Sequence, residues 1–251
     1  MDRPETFQKE SISVAFMVRQ LRETVGVEVT PVNDAVDAAE RSVTESTLHR
    51  PGLALAGYVD LFTHQRVQIL GNTETRYLHQ LDAADRRNAF GHLAQFDVPC
   101  IVLTDENELD ASLVDRATDA GIPVYRTPLP TVQFMSSLRN FLADQFALQR
   151  AVHGSLVDVY GIGLLLIGKP GIGKSEVALD LVERGHRLVA DDVVIATQRD
   201  ESILMGAGTD LVQHFMEVRG LGLVDIRSMF GILAIRFHKR IEIVVNMELW
   251  D

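Results

Sequence analysis

The stretch that decides the fold reads Gly168-Lys169-Pro170-Gly171-Ile172-Gly173-Lys174-Ser175. A short apolar run, residues 164–167, precedes it, and an amphipathic run, residues 176–183, follows it. In a turn from strand to helix, glycines let successive backbone N–H groups point at phosphate oxygens, and the helix N-terminus adds partial positive charge. The spacing is that of a Walker A loop. It predicts a strand–loop–helix unit that binds a nucleoside triphosphate with Mg²⁺.

Two residues at the end of this loop carry its chemistry. The Lys174 ammonium can bridge the terminal phosphates, and the Ser175 hydroxyl can be a ligand of Mg²⁺. The alternative is a glycine turn with an incidental lysine, which the strand and helix on the correct sides disfavour. The loop does not select the reaction, because motors, kinases and switches all use it.

An acidic pair, Asp191-Asp192, closes the apolar run 188–190. Successive residues of a strand point to opposite faces, so only one of the pair would face the loop unless the chain bends there. A carboxylate near a magnesium–phosphate site can hold the metal or accept the proton of a hydroxyl acceptor. A solvated strand end with an Asp-Asp turn is an equally supported alternative.

Two further segments are candidates for the same site. His153 leads into the strand before the loop, although a lone histidine is more often structural than catalytic. The run Glu217-Val218-Arg219-Gly220-Leu221-Gly222 combines an acid, a base and glycines, which predicts a mobile loop over the phosphates. In that loop Glu217 would contact the metal and Arg219 the transferred charge. The alternative is a surface turn with an ordinary charge pair.

Composition limits the classes of function. The chain has 251 residues, of which 46% are apolar and 24% charged, as in an ordinary globular protein with one or two cores. The net charge of −11 argues against a general nucleic-acid or anionic-membrane binder. One cysteine, Cys100, excludes an intramolecular disulfide and a cysteine-rich metal site. With no signal or membrane-spanning run, the expected location is the cytoplasm.

The pattern of apolar residues predicts an α/β protein with two domains. The predictions are an N-terminal α/β domain over 1–130, a linking helix over 131–150 and a P-loop catalytic domain over 151–251. In the first domain, strands are predicted at 27–30, 53–58, 67–70, 98–104 and 122–125, with helices at 14–25, 71 onward and 109–120. In the second, strands are predicted at 156–160, 164–167 and 188–196, with a helix at 176–183. The alternation of strand and helix favours a parallel sheet in the first domain.

Several motifs together resemble one family, the bacterial HPr kinase/phosphorylases. Besides the loop and 217–222, the motifs are His153-Gly154-Ser155-Leu156-Val157-Asp158-Val159-Tyr160-Gly161, Arg184-Gly185-His186-Arg187-Leu188-Val189-Ala190-Asp191-Asp192, Arg50-Pro51-Gly52-Leu53 and Gly121-Ile122-Pro123-Val124-Tyr125-Arg126-Thr127-Pro128. They occur in the order and spacing of that family, and the resemblance covers nearly the whole chain.

The resemblance implies an ATP-dependent serine kinase of HPr, a small phosphocarrier of the sugar phosphotransferase system, and so a regulator of carbon metabolism. It also implies the reverse activity, in which inorganic phosphate attacks phosphoserine and pyrophosphate leaves. The expected ligands are ATP, or pyrophosphate, and Mg²⁺. The expected partners are HPr, inorganic phosphate and further copies of the chain in a hexamer, with no nucleic acid and no membrane. The catalytic fold would be similar to phosphoenolpyruvate carboxykinase.

By matching positions, the resemblance also assigns roles to residues. Asp192 would accept the proton in phosphorylation and donate it in dephosphorylation. His153 and Lys174 would be active-site residues, and we add Arg219 as a further catalytic residue. Ser175 and Glu217 would be magnesium ligands, and we add Asp191 to them.

Two features depart from the family pattern. Lys169-Pro170 stands where the family has an acidic or small polar residue followed by serine, and proline removes one N–H donor from the loop. The sequence ends at Asp251, before segments that the family carries, so we expect a truncated catalytic domain with reduced phosphorylase activity. Two alternatives stay open from the residues alone: a small-molecule P-loop kinase and a nucleotide-sensing module.

Overall fold

The computed structural model describes residues 6–200, 202–209, 214–220 and 222–249. It contains two compact units. The N-terminal unit is Lys9–Phe146, and the C-terminal unit is the chain from Ala147 onward together with the short strand Thr6–Phe7. Both units combine helices with sheets, so the predicted α/β class with two domains is confirmed. No helix among these residues is both long enough and apolar enough to cross a bilayer.

The strands, in chain order, are β1 (Thr6–Phe7), β2 (Ile12–Ser13), β3 (Thr30–Pro31), β4 (Ser42–Val43), β5 (Leu48–His49), β6 (Val67–Leu70), β7 (Ile101–Leu103), β8 (Val124–Arg126), β9 (Gln149–His153), β10 (Ser155–Val159), β11 (Ile162–Gly168), β12 (Arg187–Ala190), β13 (Val193–Asp200), β14 (Ile203–Ala207), β15 (Phe215–Val218), β16 (Gly222–Asp225), β17 (His238–Arg240) and β18 (Ile243–Met247). The helices are α1 (Val14–Gln20), α2 (Gly52–Leu55), α3 (Asn72–Gln80), α4 (Ala83–Ala94), α5 (Ala111–Asp119), α6 (Thr131–Gln145), α7 (Lys174–Glu183) and α8 (Ile226–Phe230). A π-helical turn, Leu21–Val25, continues α1, and a 3-10 turn covers Ile232–Ala234.

The N-terminal unit is built on a five-stranded sheet in the order β3-β8-β7-β6-β5. Strands β5 to β8 are parallel, and β3 pairs with β8 in the antiparallel sense. Every residue of β6 and β7 is buried, as expected for the centre of a sheet that helices cover on both faces. The predicted parallel sheet is therefore present. Cys100, next to β7, is fully buried, and burial raises the pKa of its thiol to about 12.

The strand predicted over 53–58 is wrong, because this segment is helix α2 and a turn. The Leu55 N–H donates to the Pro51 carbonyl oxygen at 2.9 Å and closes a helical turn. Ala54 and Leu55 are both buried, whereas Leu53 is 70% exposed. Two adjacent buried residues do not fit the two-residue period of a strand.

Helix α6 belongs to the N-terminal unit and is not a link between domains. Its residues Phe134 and Leu138 are fully buried in the same apolar cluster as Ile69 of β6. The chain divides after Phe146, later than the predicted boundary near residue 130. The aromatic stripe of this helix is a core face of the first unit, which corrects the predicted linking helix.

The C-terminal unit contains two larger sheets and a two-stranded hairpin. One sheet has the order β1-β9-β13-β14-β17, and the other has the order β12-β10-β11-β18. Helix α7 buries Ala178 and Val182 in the same cluster as Val157 and Leu166 of the second sheet. The glycine-rich loop thus lies between a buried strand and a packed helix, in the predicted succession.

Two neighbouring segments of the chain each pass from one of these sheets to the other. The first passes between His153 at the end of β9 and Ser155 at the start of β10. The second passes between Ala190 at the end of β12 and Val193 at the start of β13. Because β9 pairs with β13 and β10 pairs with β12, the two bends are neighbours.

These bends correct the single strand predicted over 188–196. The chain turns at Asp191-Asp192, where Asp192 has a left-handed backbone with φ of 64°. At the neighbouring bend, a Cβ atom on Gly154 would lie 2.4 Å from the Leu166 carbonyl oxygen. A side chain cannot fit there, so glycine is required for the two strands to bend together.

Candidate active site

The glycine-rich loop leaves the N–H groups at the start of α7 available to a ligand. Gly171 and Gly173 have φ of 77° and 100°, a region that residues with a Cβ atom rarely adopt. The N–H groups of Gly171, Gly173, Lys174 and Ser175 donate no hydrogen bond to a described residue. Free N–H groups at a helix N-terminus form a site for anions.

Lys174 lies over this loop. Its ammonium donates to the carbonyl oxygens of Gly168 at 3.3 Å and Lys169 at 3.4 Å. These are long bonds to neutral acceptors, so the positive charge is free to pair with a phosphate. Lys169 and Pro170 are exposed on the outside of the loop.

Asp191 connects the bend to the loop. Its carboxylate accepts hydrogen bonds from the Ser175 hydroxyl at 2.9 and 3.1 Å and from the Ser155 hydroxyl at 2.5 Å. The backbone N–H groups of Asp192 and Glu217 donate to the same carboxylate. Burial raises the pKa of Asp191, and these four donors oppose that shift because they stabilise the charged form.

Asp192 has the opposite environment. Its side chain is 72% exposed and lies 3.7 Å from Nδ1 of His153, which is 82% exposed. The backbone carbonyl of Asp192 accepts from the Gly154 N–H at 3.1 Å and lies 3.2 Å from Nδ1 of His153. The bend therefore separates the two carboxylates: Asp191 faces the loop serine, and Asp192 faces solvent beside His153.

The segment predicted as a loop over 217–222 is a β-hairpin. Strands β15 and β16 pair around a turn that includes Arg219 and Gly220, while Leu221 lies outside the described residues. The buried side chains of Met216 and Val218 alternate with exposed Glu217, which is the period of a strand and explains the difference. The predicted loop is therefore corrected to a hairpin.

The hairpin brings only part of the predicted residues to the site. The Glu217 backbone contacts Asp191, and its side chain is exposed beside that contact. The Arg219 side chain is exposed and makes no hydrogen bond or ion pair with any residue that the structure describes. The structure thus groups Ser175, Asp191, Asp192 and His153, with Glu217 next to them.

The grouped oxygens fit a magnesium ion. The described part of the chain has no cluster of three or more His, Cys, Asp or Glu side chains of the kind that would hold a metal unaided. Mg²⁺ at a phosphate site needs only one or two carboxylates, because phosphate oxygens and waters complete its shell. The Ser175 hydroxyl and the Asp191 carboxylate, in direct contact, meet this requirement.

Comparison with known proteins decides the family. The family model described as HPr Serine kinase N terminus matches residues 14–142, and the one described as HPr Serine kinase C-terminal domain matches residues 144–251. The HPr kinase/phosphorylase of Chloroherpeton thalassium is 51% identical over 98% of this chain and 72% of its own length. This chain belongs to the HPr kinase/phosphorylase family.

A second relative agrees with this assignment. The HPr kinase/phosphorylase of Prosthecochloris aestuarii is 50% identical over 97% of this chain and 72% of its own length. The solved Hpr(Ser) kinase/phosphatase of Coxiella burnetii is 29% identical over 39% of this chain and 64% of its own, with a TM-score of 0.37. The predicted family is confirmed, and with it the predicted class of enzyme, a protein kinase/phosphorylase.

In this chain, sequence reasoning missed one residue of the site, Ser155. It is fully buried and makes the 2.5 Å hydrogen bond to Asp191. A serine inside an apolar strand, directly after His153-Gly154, is the signal that could have drawn attention to it. Its partner lies 36 residues away along the chain, so the contact itself could not be read from spacing.

Proposed function

We propose that this chain transfers the terminal phosphoryl group of ATP to a serine hydroxyl of HPr and also runs the reverse phosphorolysis. The observation that carries the proposal is that the two adjacent carboxylates at the bend have different environments. A buried carboxylate, Asp191, contacts the serine of the phosphate loop, and an exposed carboxylate, Asp192, stands beside it. A kinase with a protein acceptor needs both: a group that holds the metal and an accessible base.

The loop would bind the phosphates of ATP. Its free N–H groups and the Lys174 ammonium supply positive charge at the start of α7. Ser175 and Asp191, with the exposed Glu217 side chain beside them, would hold Mg²⁺. When bound, Mg²⁺ neutralises charge on the phosphate oxygens.

In the forward reaction, Asp192 would accept the proton of the serine hydroxyl as the serine oxygen bonds to the terminal phosphorus. The bond from that phosphorus to the bridging oxygen of ATP breaks, and ADP leaves. Asp192 is suited to this role because its 72% exposed side chain is accessible to a protein substrate. His153, 3.7 Å away, would orient the Asp192 carboxylate, and Arg219 at the hairpin turn would contact the transferred charge.

In the reverse reaction, an oxygen of inorganic phosphate would attack the phosphorus of phosphoserine. The bond to the serine oxygen breaks, the Asp192 carboxyl returns its proton to that oxygen, and pyrophosphate leaves. One residue thus serves both reactions, because the proton that it accepts from the serine oxygen in the first is returned to that oxygen in the second. We further propose a cytoplasmic enzyme that assembles as a homo-oligomer, with HPr as its protein partner.

The test is a phosphotransfer assay with this chain, HPr, ATP and Mg²⁺, followed by intact-mass analysis of HPr. We expect HPr to gain one phosphoryl group on a serine, and an HPr variant with that serine changed to alanine to gain none. Removing ATP and adding inorganic phosphate should restore HPr and release pyrophosphate. If ATP binds and HPr stays unmodified while a metabolite becomes phosphorylated, the chain is a small-molecule kinase and the proposal is wrong.

A further inference from the structure

The bend contains a buried hydroxyl that the proposed reaction does not use. Ser155 is fully buried and donates to Oδ1 of Asp191 at 2.5 Å. Among the described residues, Ser155 and Ser175 supply the only side-chain hydrogen bonds to this carboxylate. The two serine hydroxyls differ in their accessibility to a ligand. Ser175 is part of the phosphate loop, whereas Ser155 is closed to solvent.

This difference gives the two hydroxyls different roles when a cation binds. The Ser175 oxygen would become a ligand, so its contact with Asp191 must adapt to the ion. The buried Ser155 hydroxyl would not bind the cation, so its hydrogen bond to Oδ1 of Asp191 can stay as it is. Groups that hydrogen-bond to a metal ligand fix its orientation, and their loss typically lowers metal affinity roughly 10- to 100-fold.

We propose that Ser155 is a positioning residue: it holds the Asp191 carboxylate so that this group and the Ser175 hydroxyl face the cation together. The inference rests on the proposed function, in which Ser175 and Asp191 bind the metal. The neighbouring Gly154, which brings the strand close to Leu166, sets the position of the Ser155 backbone. The bend at 153–155 therefore shapes both carboxylates, Asp192 through His153 and Gly154, and Asp191 through Ser155.

The competing explanation is that Ser155 merely satisfies a buried carboxylate and supports the fold. Both explanations predict some loss of stability in Ser155→Ala, because a buried acceptor loses a donor. Only the positioning role predicts that the loss appears in cation affinity and depends on Asp191.

The experiment measures binding of Mn²⁺ to the full chain with ADP, by the electron paramagnetic resonance signal of free Mn²⁺. Ser155→Ala should raise the apparent Kd for Mn²⁺ about 10-fold. Ser155→Thr, which keeps the hydroxyl, should stay within about three-fold of the unaltered chain and covers the case in which the alanine variant does not fold. Ser228→Ala is the matched control, since Ser228 makes the same 2.5 Å bond to Asp225 outside the bend and should leave the Kd unchanged.

A double-mutant cycle then separates positioning from folding. In an Asp191→Asn background, Ser155→Ala should have almost no further effect on Mn²⁺ affinity, because the group it positions is altered. An unchanged Kd in Ser155→Ala, a Thr variant as weak as the Ala variant, or an effect equal in both backgrounds would each overturn the inference. If the unaltered chain bound no Mn²⁺ with ADP, the metal site of the proposed function would fail as well, so the two failures are distinguishable.

Discussion

Each unit contains a strand that passes through glycine into a helix, and the two turns differ in what their first N–H groups contact. In the N-terminal unit, β6 passes through Gly71 into α3, and the Gly71 N–H donates to the Glu74 carboxylate at 3.0 Å. Glu74 is 4% exposed and is also paired with Arg50 at 2.8 Å. In the C-terminal unit, β11 passes through the glycine-rich loop into α7, and no described carboxylate caps the loop.

The difference is that an internal carboxylate already meets the first glycine N–H at the start of α3, whereas no described carboxylate does so at the start of α7. The Glu74 carboxylate supplies negative charge at the first turn of α3 and accepts from the Gly71 N–H. The first turn of α7 keeps free N–H groups and adds Lys174. One turn contributes stability, and the other is available for binding.

The largest expected change in stability follows from removing the internal anion. Glu74→Ala leaves the buried Gly71 N–H without its acceptor, while Arg50, which is 41% exposed, is left to solvent, so the N-terminal unit should lose about 2 kcal/mol of stability. Urea unfolding followed by hydrogen exchange in peptides of β6 and α3 would measure this. Added sulfate should restore part of the loss by occupying the vacated position.

The matched control is Glu108→Ala, which removes an exposed ion pair with Arg126 and should cost less than about 0.5 kcal/mol. A Glu74 variant as stable as this control would mean that the internal carboxylate does not cap the turn.

The next effect concerns the Lys174 ammonium in the glycine-rich loop. Lys174→Met should lower ATP affinity on the order of 100-fold, since it removes the charge that pairs with the terminal phosphates. Lys169→Met, at an exposed lysine of the same loop, should change the affinity by less than about five-fold. Isothermal titration calorimetry compares the two, and equal losses would show that net charge, not position, governs binding.

A smaller effect tests the shape of the loop. Gly173 has φ of 100°, so Gly173→Ala adds strain of about 1–2 kcal/mol and should weaken ATP binding roughly 10-fold. Gly231→Ala introduces comparable strain, at φ of 84°, outside the loop. It should lower stability without changing ATP affinity, and a loss of affinity in this control would contradict the account.

The smallest effect concerns the residue that departs from the family pattern. Pro170 has no N–H, so Pro170→Ser offers the phosphates one further donor and should raise ATP affinity about three- to five-fold. The same titration measures it. A lower affinity in this variant would indicate that the rigidity of proline matters more than the missing donor.

Local sequence predicted the features that depend on local geometry. The strand, loop and helix around 168–175 follow from spacing. The acidic pair at 191–192 was only a candidate for the same site, because a solvated strand end was an equally supported alternative. The bend at Asp191-Asp192 could not be predicted, because it follows from pairing with β9 and β10, more than 30 residues away. The question of which carboxylate faces the loop was therefore open until the bend placed both.

Other differences have the same physical origin. An apolar stripe on α6 predicts that the helix packs but not which unit it packs into, and its partners on β6 lie far away in sequence. The glycines at 220 and 222 favoured a loop, although alternating burial of Met216 and Val218 marks a strand. Ser155 was missed because serine in a strand is chemically inconspicuous until its partner is known.

The central claim, that the bend divides two tasks between adjacent carboxylates, is tested most directly by comparing Asp191→Asn with Asp192→Asn, with exposed Asp180→Asn on α7 as control. Transfer of phosphate from ATP to HPr and binding of Mn²⁺ with ADP are measured for each. Asp192→Asn should lose transfer on the order of 1,000-fold and keep Mn²⁺ affinity. Asp191→Asn should weaken Mn²⁺ binding by at least about 10-fold. Equal losses of both properties in the two variants would contradict the account.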